Sequence, residues 1–255
     1  MNHTAFQQLV DIMAKLRSSD GCPWDREQTH DSLKPYLLEE AYEVLETLDD
    51  GDFEGLKEEL GDLMLQVVFH AQLADEKGRF SIGDVLDTIN QKLMRRHPHV
   101  FGQTEIHTAE EQRIHWENLK KKEGKASVLD GVPKTLPALL RARRIQQKAS
   151  TVGFDWEKTE QVWEKVKEEI GELEEVLQTQ DANRIEEEFG DLLFALVNLS
   201  RFIRVDPENS LRRAVDKFIR RFQKVEQTMD ALGKKMNEAS LDEMDAVWNR
   251  IKHSE

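Results

Sequence analysis

The clearest indication of the fold is at residues 36–66, with the sequence YLLEEAYEVLETLDDGDFEGLKEELGDLMLQ. Its apolar residues recur every three to four positions, which predicts two helices, and the DDGD run at 49–52 predicts a turn between them. No proline occurs between residues 36 and 97, so proline interrupts neither helix. The stretch therefore predicts an antiparallel helix pair, with an EExxE motif on the first helix and an ExxD motif on the second.

A second copy of this pattern follows later in the chain. EEIGE begins at Glu168 and EEFGDL begins at Glu187, and the two motifs are 19 residues apart in both copies. Duplication of a unit of about 120 residues accounts for this recurrence. We predict an N-terminal domain at 1–123, a Gly- and Pro-containing linker at 124–137 and a C-terminal domain at 138–255.

Helical periodicity extends over most of the chain, whereas strand-like alternation is nearly absent. The sequence therefore predicts an all-α fold. The predicted helices lie near residues 2–18, 34–49, 53–76, 81–95, 109–123, 135–150, 157–178, 181–204, 208–232 and 240–252.

Composition narrows the functional classes. The 255 residues include 36 Lys and Arg against 50 Asp and Glu, a net charge of -14, which argues against binding of long nucleic acid. No apolar run approaches the ~18 residues of a membrane helix, and residues 1–16 lack the pattern of a secretory signal. Because Cys22 is the one cysteine, an internal disulfide and a cysteine-rich zinc site are excluded. We expect a cytoplasmic protein without a membrane partner.

The carboxylates of the two motifs are predicted to converge. Glu40 and Glu43 share one helix face, as do Glu59 and Asp62, and the predicted turn brings these faces together. Four unpaired anions repel one another, so such a cluster is stable around cations. All-oxygen ligands select a hard cation, Mg²⁺ or alternatively Mn²⁺.

The residues around the ExxD motifs suggest a buried setting. Apolar runs follow both motifs, so we expect their helices to be largely buried. Gly61 and Gly190 lie in mid-helix, where glycine costs ~1 kcal/mol relative to alanine. A close approach of another helix would justify both glycines.

The two motifs on a helical hairpin resemble those of the MazG family of nucleoside triphosphate pyrophosphohydrolases. CPWDREQTHDSLKPYLLEEAYEV at 22–44 and RRHPHVFG at 95–102 are also typical of that family. The resemblance extends over nearly the whole chain and implies two tandem all-α helical-bundle domains, a homodimer and Mg²⁺-dependent hydrolysis of NTPs or dNTPs to the monophosphate and pyrophosphate. It implies metal ligands at Glu169, Glu172, Glu188 and Asp191, with first-half counterparts Glu40, Glu43, Glu59 and Asp62.

Further residues are assigned to catalysis and to the substrate. We expect Glu168 or Glu169 to orient or deprotonate the attacking water. Lys217 and Arg221 share a helix face that suits a polyphosphate clamp, and Trp248 is a candidate for stacking on the base. The other substrate-binding candidates are Lys165, Glu168, Arg184 and Glu187, and the first-half counterparts of the clamp and the tryptophan are Lys92, Arg96 and Trp116.

The halves differ in positive charge beside the acidic motifs. Lys165 and Arg184 precede the second-half motifs by one turn, whereas Tyr36 and Gly55 stand at the first-half positions. We therefore expect the second half to be the stronger catalytic unit.

Two alternatives remain at this point. One is a non-catalytic nucleotide-binding or oligomerisation module. The other is a dinuclear metal–carboxylate bundle, although neither motif pair has the histidine of the usual Glu-x-x-His pattern. Since few polar groups are available to read base edges, we expect broad base specificity and a role in controlling the nucleotide pool.

Overall fold

The structure is a computed structural model that describes residues 3–102, 108 and 127–253. Its contacts divide the chain into two compact units, Met1–Thr108 and Ala109–Glu255. Within the described residues both units consist of helices and turns without a strand, which confirms the all-α tandem prediction. Trp116, the predicted helix 109–123 and linker residues 124–126 lie outside the described residues.

The described helices follow the predicted ones closely. Those of the first unit are α1 (His3–Leu16), α2 (Pro23–Glu27), α3 (Lys34–Asp50), α4 (Phe53–Asp75), α5 (Ile82–Arg96) and α6 (Pro98–Phe101). Those of the second unit are α7 (Ala138–Ser150), α8 (Thr159–Leu177), α9 (Ala182–Phe202), α10 (Pro207–Ala231) and α11 (Leu241–His253), with a 3₁₀ turn at Met236–Glu238. The two short helices α2 and α6 were not predicted, because each begins at a proline that reads as a helix breaker.

In the first unit, α3 and α4 form the predicted hairpin. Gly51 ends α3 in the left-handed region, with φ of 69°, and Asp52 caps α4 by accepting from the backbone N–H of Glu54 and Gly55. Helix α1 packs on α4. The core between them contains Met13, Leu33, Val68, Phe69 and Leu73.

In the second unit, α8 and α9 form the equivalent hairpin, and Asp181 caps α9 as Asp52 caps α4. Helix α7 packs on α9 and on α10, and α10 packs on α11 around Val225, Met229 and Val247. The described part of the predicted linker, residues 127–137, contains no helix. The buried side chain of Lys148 on α7 donates to two backbone carbonyl oxygens of this linker, those of Val128 and Asp130, at 3.1 Å each.

The expected burial of the ExxD helices is only half right. One side of α4 is buried, including Val68 and Phe69, but Leu60, Met64 and Val67 are exposed on the same helix. On α9, Ala195 and Val197 are buried, whereas the exposed large apolar residues are Phe189, Leu193, Phe194 and Leu196. A two-helix hairpin covers only one side of each helix, so a run that is apolar all round leaves a second face uncovered.

The expected close approach at Gly61 and Gly190 is absent among the described residues. Apart from the nearby backbone of its own helix, a Cβ atom added at either glycine would meet no described atom within 4 Å. Both residues lie on exposed parts of their helices. Packing among the described residues therefore does not explain why glycine occupies these positions.

Candidate active site

Three carboxylates converge on the first hairpin. Glu40 and Glu43 on α3 and Glu59 on α4 each offer an oxygen atom, and these atoms all lie within 4.8 Å of one another. All three side chains are half-buried. Asp62, the fourth predicted ligand, lies outside this group, although its charge acts on the other carboxylates of the cluster.

Burial and mutual repulsion disfavour the charged forms in this first cluster. Burial is the largest cause that raises the pKa of Glu40, followed by the negative charge of Asp62, while a hydrogen bond from Gln66 opposes the rise. Burial also raises the pKa of Glu59, and the charge of Glu43 adds to it. Burial first, and then repulsion between neighbouring carboxylates, therefore makes the charged forms of Glu40 and Glu59 less favourable.

The second hairpin repeats the convergence. Glu169 and Glu172 on α8 and Glu188 on α9 offer oxygen atoms that lie within 4.8 Å of one another. Glu169 is only 6% exposed, whereas Glu172 is exposed. Although Glu172 is exposed, partial loss of hydration at its carboxyl raises the pKa, and the negative charge of Glu169 contributes. Asp191 again lies outside the converging group.

A lysine occupies the edge of the second cluster. The Nζ atom of Lys165 lies 2.7 Å from Glu168 Oε1 and 2.8 Å from Glu169 Oε1. The hydrogen bond to Glu168, then the one to Glu169, raises the pKa of Lys165 well above its usual range. Tyr36 stands at the equivalent place in the first unit, where its ring meets Trp24 edge-on at 5.9 Å. Of the two cations predicted beside the second-half motifs, Lys165 is therefore in direct contact with the carboxylates.

One contact in the first cluster, between Gln66 and Glu40, was not predicted from the sequence. The Nε2 atom of Gln66 donates to Glu40 Oε1 at 3.4 Å, although Gln66 lies in an apolar run and is only 6% exposed. Its own Oε1 is buried and has no hydrogen-bond partner among the described residues, and an unpaired buried acceptor costs about 1–3 kcal/mol. The available signal was a polar residue in that apolar run, one helical turn after Asp62.

The other predicted substrate residues lie at varied positions. Arg184 and Glu187 are exposed near the start of α9, Lys217 is exposed on α10, and Lys92 and Arg96 lie on α5. Arg221 lies over the Trp248 ring at 5.9 Å.

Trp248 is held by neighbouring side chains. Its ring is partly buried against Val225, Met229 and Val247 and lies 5.2 Å from the Phe218 ring, centroid to centroid. Packing of this side chain is therefore visible in the structure, and stacking on a base stays a prediction.

The donor set of both clusters fits a divalent cation. Each offers three carboxylate oxygens at short mutual distances, and no histidine or cysteine belongs to either group within the described part of the chain. Such oxygen donors suit Mg²⁺ or Mn²⁺, and a cation would relieve the repulsion that raises the carboxyl pKa values. Among the described helices, none is long and apolar enough to cross a membrane.

Comparison with known proteins agrees with this arrangement. Residues 28–101 and 157–226 each match the family model of the MazG nucleotide pyrophosphohydrolase domain, so each match contains one carboxylate cluster. The chain is 50% identical over 250 residues to the nucleoside triphosphate pyrophosphohydrolase/pyrophosphatase MazG of Thermotoga maritima, with 97% of this chain and 95% of the relative covered. It is 45% identical over 255 residues to a nucleoside triphosphate pyrophosphohydrolase of Escherichia coli, with 97% of each chain covered. The chain thus belongs to the MazG nucleotide pyrophosphohydrolase family, as the resemblance of its two motif pairs predicts.

Proposed function

We propose that this protein is a Mg²⁺-dependent nucleoside triphosphate pyrophosphohydrolase that converts NTPs and dNTPs to the monophosphate and pyrophosphate. The observation that carries the proposal is the convergence of three carboxylates in each family domain. The names of the relatives supply the reaction. Because the substrates are cytoplasmic metabolites, we place the enzyme in the cytoplasm and assign it to control of the nucleotide pool.

In the second unit, Glu169, Glu172 and Glu188 would hold Mg²⁺, with Asp191 as a further ligand. When bound, Mg²⁺ supplies positive charge that stabilises the phosphoryl oxygens and makes a bound water more acidic. The first-unit counterparts of these ligands would be Glu40, Glu43, Glu59 and Asp62.

We assign orientation of the attacking water to Glu168, with Glu169 as the alternative. Glu168 is exposed and outside the converging group, while its hydrogen bond to Lys165 fixes its direction. The water oxygen attacks the α-phosphorus in line, the α–β anhydride bond breaks, and pyrophosphate leaves. The proton of the water passes to the carboxylate and then to solvent.

Positive side chains of the second unit would bind the triphosphate. We assign this role to Lys165, Arg184, Lys217 and Arg221, with Glu187 beside them and Trp248 against the base. Because Lys165 already contacts Glu169, its ammonium group would lie beside phosphate oxygens that approach the cluster. Lys92, Arg96 and Trp116 are the weaker first-half equivalents. These contacts would be to the phosphates and to the face of the nucleobase, which are similar in all nucleotides. We therefore propose broad base specificity.

We propose that the C-terminal domain predicted at 138–255, after a linker at 124–137, is the principal catalytic unit, and that the N-terminal domain predicted at 1–123 is the weaker one. The ion pairs of Lys165 support this assignment, because the first cluster has Tyr36 at that place.

We further propose a homodimer. Both hairpins expose apolar side chains, including Met64 on α4 and Leu193 and Phe194 on α9. Gly61 and Gly190 leave room on these faces for a close helix from a second copy.

The proposal is tested by incubating the purified chain with a panel of NTPs and dNTPs, with Mg²⁺, with Mn²⁺ and with chelator. We expect pyrophosphate and monophosphate in equal amounts, activity toward several bases, and none in chelator. Release of orthophosphate alone would contradict cleavage at the α–β bond. No release with any divalent cation would favour the non-catalytic binding module, and oxidative chemistry with iron would favour the dinuclear bundle.

A further inference from the structure

The two clusters hold the second glutamate of their EExxE motif by different means. In the second unit, the cation Lys165 lies on the same helix and pairs with Glu169 at 2.8 Å. In the first unit, Glu40 accepts instead from the neutral amide of Gln66, which comes from the opposite helix of the hairpin. Within the described chain, no lysine, arginine or histidine forms an ion pair with Glu40.

Gln66 occupies a place where a glutamine is not expected for stability. It is only 6% exposed, and Ala195 stands at the equivalent position of α9. An ionised carboxylate can only accept hydrogen bonds, so the amide nitrogen must face Glu40. The amide oxygen is then left buried and unpartnered. An apolar side chain would avoid this unsatisfied oxygen, so the contact with Glu40 is the benefit that the glutamine provides.

We propose that Gln66 is a positioning residue that holds Glu40 as a ligand of a divalent cation in the first-unit cluster. This inference rests on the proposed function of that cluster as a metal site. A neutral donor orients the carboxylate without adding positive charge, so it does not offset the negative charge that the cluster would present to a cation. The second cluster instead carries the charge of Lys165 at its edge.

The test uses the full-length chain with Glu172→Gln and Glu188→Gln, which removes two of the three converging carboxylates of the second cluster. Into this background we introduce Gln66→Met, which keeps the length of the side chain and removes the amide. Binding of Mg²⁺ alone is measured by titration calorimetry, and the melting temperature is measured in chelator. We expect the Mg²⁺ affinity to fall about tenfold, which corresponds to about 1.4 kcal/mol, while the metal-free melting temperature stays equal or rises.

Gln146→Met is the matched control. Gln146 is also 6% exposed, donates from Nε2 to the Phe194 carbonyl oxygen, and has a buried unpartnered Oε1, but it belongs to the other unit. We expect it to leave Mg²⁺ binding in this background unchanged. If Gln66→Met does not fold, Gln66→Leu is measured in its place.

Unchanged Mg²⁺ affinity in Gln66→Met would overturn the inference, as would a fall in metal-free stability without a loss of affinity, since that pattern marks a purely structural role. If the background protein binds no Mg²⁺ at all, the first cluster is not a metal site and the inference fails. Pyrophosphate release by the unsubstituted chain is measured separately, so that failure of this inference is distinguished from failure of the proposed function.

Discussion

The two carboxylate clusters share one arrangement and differ in what surrounds it. Each brings three glutamates from two helices together within 4.8 Å. The second adds a lysine that pairs with two glutamates, whereas the first adds a buried glutamine and places an aromatic pair, Trp24 and Tyr36, where the lysine would be. The two units thus keep the same three-carboxylate geometry, while the side chains one turn away give the two clusters different charge.

The largest expected effect comes from removing one carboxylate from each cluster. We predict that Glu172→Gln lowers kcat for pyrophosphate release on the order of 100-fold or more, because a ligand of the catalytic cation is lost. Glu43→Gln, at the equivalent first-unit position, should lower it less than about threefold. Steady-state kinetics with ATP and dATP checks both variants. A larger loss in Glu43→Gln than in Glu172→Gln would reverse the ranking of the two units.

A smaller effect is expected from the lysine that distinguishes the clusters. Lys165→Met should lower kcat/KM about tenfold, because the substrate loses a phosphate contact and Glu168 and Glu169 lose the donor that orients them. The matched control is Lys167→Met on the same helix, which removes an exposed ion pair with Glu164 at 2.9 Å. That change should alter kcat/KM less than twofold. Equal kinetics for the two variants would show that Lys165 does not distinguish the second cluster.

The third prediction compares how much the exposed apolar face of each hairpin contributes to the proposed homodimer. We predict that Gly190→Leu and Gly61→Leu each weaken the homodimer about tenfold or more, because a large side chain fills space needed by a close helix. Light scattering over a dilution series measures the change, and the larger shift identifies the hairpin that contributes more. Gly190→Ala is the control, with the dimer retained and helix stability raised by about 1 kcal/mol. An unchanged molecular mass in both leucine variants would contradict the proposed interface.

The smallest effect is in the pH dependence of stability. The pKa values of Glu40, Glu59 and Glu172 are raised in the folded chain, so protonation favours folding, and this contribution is lost as pH rises through the raised pKa values. At the proposed metal sites, Mg²⁺ would take the place of these protons. We therefore predict that Mg²⁺ raises the melting temperature by a few degrees more near pH 7.5 than near pH 5.

Scanning calorimetry with and without chelator measures this difference in each cluster variant. Glu43→Gln and Glu172→Gln should each reduce the difference, since each removes one crowded anion. An equal effect of Mg²⁺ at both pH values would contradict the assignment of these carboxylates as its ligands.

The helices and the motif-bearing hairpins were predictable because their signals are local. Apolar spacing, proline positions and capping residues such as Asp52 and Asp181 act within one or two helical turns. The convergence of Glu40, Glu43 and Glu59 was also predictable, since a tight hairpin leaves few ways to place two helix faces. Gln66 was not predictable as a partner of Glu40, because 26 residues separate them and the contact crosses between helices.

The all-α fold, the repeat and the family were predictable from the sequence alone, because they depend on periodicity and on motifs with fixed spacing. The packing of the helices establishes which three of four carboxylates converge and which donor each cluster uses. It also shows that Gly61 and Gly190 meet no neighbouring helix among the described residues. Those features depend on the angle and depth at which two helices pack. The packing angle and depth are set by contacts between side chains that are far apart in the sequence. Helical periodicity therefore does not predict them.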